Sequence, residues 1–98
     1  MTSEKVMARL LNLKKLKLPP EPKVSAIRFR PYIDSLGDEA WRVRVILDES
    51  VADEDRDWPA LDPIDWAIRD ALLKAGVKEF AYIRFAKASE LAEAGIEV

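Results

Sequence analysis

The feature that most constrains this chain is a strict alternation of apolar and basic side chains over two stretches joined by a turn. In residues 24–33, Ile27 and Phe29 fall on one side and Arg28 and Arg30 on the other. In residues 40–47, Trp41, Val43, Val45 and Leu47 oppose Arg42 and Arg44. A period of two is the spacing of a half-buried strand, whereas the faces of a helix recur every three or four residues. Between the stretches, Asp34-Ser35-Leu36-Gly37-Asp38 reads as a turn in which Gly37 supplies a positive φ. The outcome is an antiparallel hairpin with an apolar face to be covered and an arginine face opposite it. Pro31 has no N–H to give a ladder, which places it on an edge strand or at a strand end.

The cover comes from helices. Residues 62–75 carry Ile64, Ala67, Ile68, Ala71, Leu72 and Ala75 on one stripe. Asp62 is the expected N-cap, Pro63 the first helical residue, Asp65 a favourable charge in the first turn and Gly76 the stop. A third strand follows over residues 80–86, with Ala81, Ile83 and Phe85 inward and Phe80, Tyr82 and Arg84 outward. It runs parallel to the second strand, so it pairs with that strand directly or lies antiparallel against the first; the second arrangement is preferred. Ser89 is expected to cap a short helix that stops at Gly95, with Ile96 to Val98 adding an edge strand. Near the N-terminus, Val6, Met7, Leu10 and Leu13 recur at helical spacing within residues 4–15, capped by Ser3. Pro19, Pro20 and Pro22 then make residues 16–23 an extended linker.

The resulting expectation is an α+β fold in α-ββ-α-β order, a two-layer sandwich on a small, mostly antiparallel three-stranded sheet. With 98 residues the chain suits one domain, divided into a helical arm (1–18), a proline-rich linker (19–23) and a ββαβ core (24–98). Hydrophobic residues make up 49% and charged residues 35%, a globular balance rather than a disordered one. No apolar run reaches membrane-spanning length, and Arg9, Lys14 and Lys15 interrupt the N-terminal stretch, so a cytoplasmic location is expected.

The open face of this sheet presents Arg28, Arg30, Arg42, Arg44 and Arg84, five of the chain's eight arginines, beside Tyr32, Phe80 and Tyr82. Arginine forks onto carboxylate or phosphate and stacks on rings, so this face is the candidate binding surface. The segment Lys78-Glu79-Phe80-Ala81-Tyr82-Ile83-Arg84-Phe85 resembles the aromatic strand signature of RNA-recognition-motif domains. That resemblance implies single-stranded nucleic acid stacking on Phe80 and Tyr82. It covers eight residues, with Glu79 where the motif has glycine. An overall pI near 5.2 opposes a polyanion partner, and the expected contact of the arginine face is instead an acidic protein surface or a second copy of the chain.

Charge is unevenly spread: residues 1–30 hold eight basic and two acidic side chains, residues 48–65 eight acidic and one basic. Asp53, Asp55 and Asp57 alternate as in a calcium loop, but Trp58 stands where the sharp-turn glycine belongs and Ile64 where the bidentate glutamate belongs. The absence of histidine and cysteine removes the usual general base, thiolate nucleophiles and the commonest metal ligands. The expectation is a binding module without cofactor or metal; a carboxylate-dependent enzyme is the weaker alternative. Finally, Trp66 and Leu73 lie opposite the core stripe of the long helix, and Val6, Leu10 and Leu13 of the arm, from the same chain or exchanged with a neighbouring copy, are the expected cover for them.

Overall fold

The computed structural model describes residues 1–96. Its elements are α1 (Glu4–Leu10), β1 (Val24–Ile33), β2 (Glu39–Leu47), a 3-10 turn at Asp53–Asp55, α2 (Trp58–Lys74), β3 (Phe80–Lys87) and α3 (Ala88–Glu93). The α+β class, the element order and the three strands agree with the reading of the sequence.

The hairpin forms because its turn satisfies itself. Gly37 adopts φ +83°, its N–H donates to Asp34 O, and the Asp34 carboxylate accepts from the backbone N–H groups of Leu36 and Asp38. Asp34 N–H donates to Asp38 O, so alternation from that pair directs the even residues of β1 toward β2 and the odd ones outward. Pro31 is odd, and its missing N–H therefore falls on the open edge.

The strand order is β1-β2-β3, with β2 antiparallel to β1 and parallel to β3. This corrects the preference for β3 beside β1 and makes the sheet mixed rather than mostly antiparallel. Burial explains the order. Trp41, Val43, Val45, Ile46 and Leu47 of β2 are all buried, as a central strand requires, whereas β1 carries Pro31 and the exposed Arg28 and Arg30.

On one side of the sheet, α2 contributes Leu61, Ile64, Ile68 and Leu72 to a core with Ile27, Trp41, Val43, Val45, Leu47, Ala81 and Ile83. Complete burial of Ile64 and Ile68 contributes roughly 1.5–3 kcal/mol each by transfer. The helix starts at Trp58, five residues before the expected Pro63. Asp57 is its N-cap, accepting from Ala60 N–H at 3.1 Å, and Pro63 lies inside the helix. Both Asp57 with Pro59 and Asp62 with Pro63 carry start signals, but only the earlier start brings Leu61 into the buried stripe one turn before Ile64. The absent Pro63 N–H removes one helical bond in the second turn of the helix. At its end Val77 N–H reaches Leu72 O and Gly76 N–H reaches Leu73 O, both at 3.0 Å, with Gly76 at φ +80°.

The arm departs from expectation. Its helix ends at Leu10 instead of continuing to residue 15, because the Asn12 side chain accepts from Lys14 N–H and the Asn12 carbonyl accepts from Lys15 and Leu16 N–H, turning the chain. Ser3 caps it as expected, accepting from Val6 N–H. Met7 and Leu11 are the buried residues, and they join the main core rather than covering Trp66 and Leu73. Those two remain 66% and 74% exposed, so within one chain Val6, Leu10 and Leu13 do not cover them. Leu10 and Leu13 pack partly against the core. It is the linker, through Leu16, Leu18 and Pro19, that borders an open groove with Trp66.

The N-terminus is fixed by Glu79, whose Oε1 accepts from Thr2 N–H at 2.7 Å and Trp41 Nε1–H at 3.0 Å. Burial alone would raise the Glu79 pKa, but these donors outweigh it and hold the carboxyl at about 2.

Within residues 48–61, Trp58 and Pro59 already belong to α2 and Val51 is buried in the core. Ser89 does not cap α3. The helix begins at Ala88 with Lys87 as N-cap, whose N–H is accepted by Glu90, while Ser89 N–H and Oγ–H donate to Glu49 at 3.0 and 2.7 Å. Ile96 is not in a strand, and Glu97 and Val98 lie outside the described residues, so the expected edge strand there has no counterpart among residues 1–96. Among the described residues, no helix is long and apolar enough to cross a membrane.

Candidate functional site

The face of the sheet turned away from α2 is a grid of three strands by four rows. The first row is Tyr32, Ala40 and Phe80; the second Arg30, Arg42 and Tyr82; the third Arg28, Arg44 and Arg84; the fourth Ala26, Ile46 and Ala86. All eight side chains chosen from the sequence thus come together on one face. The alternation determines this, because even residues in all three strands share a side.

The fourth row differs from the others. Ile46 is only 2% exposed although it lies on the arginine side, and Leu91 of α3 is 6% exposed without belonging to the main core. The short helix packs on β3, which leaves the two arginine rows between an apolar, covered end and an aromatic end. Two ties fix α3 to the segment after β2: Glu49 with Ser89, and Arg56 with Glu90 in a two-pronged pair at 2.6 and 2.8 Å. The Arg56 guanidinium, followed by the backbone N–H of Lys87, holds the Glu90 carboxyl at about 2.

The arginine rows place like charges directly across the strands: Arg28 opposite Arg44, Arg44 opposite Arg84, and Arg30 opposite Arg42. Each such pairing weakens a sheet, by roughly 0.2–1 kcal/mol. Among the described residues, four of these five arginines have no carboxylate within salt-bridge distance. Among the described residues, the salt bridges involve Arg56, Arg69 and Lys74, and none involves Arg28, Arg30, Arg42 or Arg84. The acidic segment after β2 therefore does not neutralise these four arginines. What Arg42 has is a ring: its guanidinium carbon lies 4.3 Å from the centre of Tyr32. Arg84 makes a single long bond of 3.4 Å to the Ile83 carbonyl.

At the aromatic end, Tyr32 and Tyr82 meet edge to face at 5.6 Å, and Phe80 and Tyr82 at 4.8 Å. Tyr82 donates its hydroxyl to Asp34 at 3.1 Å, which raises the phenol pKa. Arg69, reaching from α2 round the edge of β3, lies 5.0 Å from the Phe80 ring centre, bonds the Ala81 carbonyl and pairs with Asp65. One face of Tyr32 and one face of Phe80 are thus already taken by guanidinium groups. The outward facing of Phe80 and Tyr82 matches the RNA-recognition-motif resemblance; the parallel β3 at the sheet edge does not come from that resemblance.

Two shallow clefts lie between these side chains. One, of about 220 Å³, is lined by Tyr32, Arg42, Arg44, Tyr82 and Arg84; the other, of about 320 Å³, by Arg30, Arg42, Arg44 and Ile96. Reading the sequence missed Arg69, Asp34, Ile46 and Ile96 as neighbours of this face. For Ile46 a signal existed, since the apolar run Val45-Ile46-Leu47 breaks the alternation where both sides are covered. Among the described residues, no group of three or more acidic side chains is placed to hold a metal ion. Comparison with protein-family models, with curated proteins and with solved structures finds no match to this chain.

Proposed function

We propose that this protein is a non-catalytic binding or regulatory module that contacts an acidic protein surface, or the acidic segment of a second copy, through the arginine face. The observation that carries the reading is the set of opposed arginines across three strands, four of them without a carboxylate partner among the described residues. A sheet face stabilised by its own charges would alternate sign across strands. This one concentrates positive charge on a chain whose net charge is −2, and the exposed Asp53, Glu54, Asp55 and Asp57 supply an acidic surface for a neighbouring copy. A cytoplasmic setting belongs to the same reading.

Single-stranded RNA is the second reading, favoured by the outward Phe80 and Tyr82. The guanidinium groups on Tyr32 and Phe80 weigh against it, because they occupy ring faces on which bases would stack. Sedimentation of the protein alone, with a glutamate-rich peptide and with a short RNA, each at two salt concentrations, separates the cases. The expected result is association with the peptide or with itself, abolished by Arg28→Glu with Arg30→Glu in a protein that stays folded. A folded double variant with unchanged association would place the contact elsewhere. RNA binding that falls steeply with salt would transfer the face to the second reading.

A further inference from the structure

We infer that the outward face of α2 is a self-docking surface, against which α2 of a second copy packs antiparallel about a two-fold axis at Trp66. This goes beyond the reading of the sheet face: the second copy belongs to α2, and the acidic protein is left as the partner of the arginines.

Trp58, Trp66 and Leu73 are the large apolar side chains that α2 leaves in solvent, at 58%, 66% and 74% exposure. Single exposed apolar residues are ordinary, whereas three on one face of a helix form a patch. Trp66 is the middle residue of the 17-residue helix. At about 100° and 1.5 Å per residue, Leu73 lies roughly 10 Å along the axis in one direction and Trp58 roughly 12 Å in the other, both turned to the same side of Trp66. A two-fold axis perpendicular to the helix at Trp66 reverses its direction and keeps that side. It therefore sets Trp66 against Trp66, and Leu73 of each copy against Trp58 of the other. The charges select this direction over a parallel one. Arg69 is engaged by Asp65 and Lys74 by Asp70, so those four charges are answered within one copy. Others are exposed and outside any salt bridge among the described residues: Glu54, Asp55 and Asp62 toward the start of the helix, Lys78 beyond its end, and Lys15 and Lys17 in the groove beside Trp66 and Lys74. Antiparallel packing brings the acidic end of each copy to the basic end of the other, and parallel packing would bring acid to acid. The arm is already committed, with Met7 and Leu11 in the core and Thr2 N–H held by Glu79.

The test is sedimentation of the full chain over a dilution series, with variants at exposed positions that leave the fold intact. The wild type should form a dimer that dissociates on dilution and weakens with salt. Trp66→Ser should raise the dimer Kd by about tenfold or more, the loss expected of a central aromatic anchor. Arg28→Glu with Arg30→Glu should leave the dimer unchanged while losing the glutamate-rich peptide. Direction is read by cross-linking, since the chain has no cysteine of its own. Chains carrying Leu73→Cys, mixed with chains carrying Trp58→Cys under mild oxidation, should form mixed disulfides faster than either couples to itself. A monomer at every concentration, or a dimer indifferent to Trp66→Ser, overturns the inference. Self-coupling faster than mixed coupling overturns it in favour of a parallel contact, and the absence of any coupling in a dimer that needs Trp66 gives that residue to an exchanged arm. A dimer lost in the arginine variant and kept in Trp66→Ser returns the second copy to the sheet face. The expected dimer without peptide binding overturns the reading of the arginine face alone.

Discussion

The two sides of β2 have been put to opposite uses within nine residues. On one side Trp41, Val43, Val45 and Leu47 are at most 1% exposed and meet α2 and the arm. On the other, Arg42 stands opposite Arg30, and Arg44 opposite both Arg28 and Arg84, in rows of like charge. The first side is explained by stability alone. The second is not, and that difference is the ground for assigning it to a partner.

The largest effects should come from breaking the covered side. Ile68→Ala removes a side chain with no exposed surface and should cost about 2–5 kcal/mol in a denaturant melt, a large share of what a domain this size has. Met7→Ala should fall in the same range, because Met7 is equally buried and joins the same core; a loss below about 1 kcal/mol would show the arm to be dispensable. Glu79→Gln comes next, with an expected loss of about 1 kcal/mol once solvent access is allowed for. It also carries a pH signature. Because the Glu79 carboxyl is held at about 2 against an ordinary 4.5, its contribution is fully present above about pH 5 and is lost as pH falls toward 2. The wild type should therefore weaken over that range more than the Gln variant does, in parallel melts.

A smaller effect is expected where the two sides meet, at α3. Arg56→Ala removes the two-pronged partner of Glu90 and should loosen the helix packed on β3, seen as faster amide exchange at Leu91 and Ile96 with little change in the global midpoint. The Glu90 carboxyl, held at about 2 against 4.5, gives the tie the same pH dependence: intact above about pH 5 and released toward pH 2. Unchanged exchange at Leu91 would mean that Glu49 and Ser89 suffice to hold α3.

How much of this was legible follows from which forces are local. Alternation at Ile27–Arg30, Trp41–Val45 and Ala81–Phe85 determines the facing of the grid, because the pleat leaves no choice once a strand forms. Strand order was not legible: a parallel β3 beside β2 and an antiparallel β3 beside β1 present the same side chains outward. The choice depends on the total burial of β2, including Ile46 on the arginine side, which emerges only when the layers assemble. The start of α2 was misplaced for a related reason, since Asp57 and Asp62 give equivalent local signals and the burial of Leu61 decides between them. Arg69 reaches the Phe80 ring from another layer, a contact that no spacing along the chain announces.

The smallest expected change in stability is the most informative. Arg28→Thr, Arg30→Thr and Arg84→Thr together leave the Arg42–Tyr32 stack in place, keep residues that suit strands and relieve cross-strand repulsion. Measured by thermal unfolding at low salt, this triple variant should melt at the same temperature as the wild type or slightly above it, while losing association with the acidic peptide. A clearly lower melting temperature would contradict the account, because it would show that these arginines hold the sheet together rather than wait for a partner.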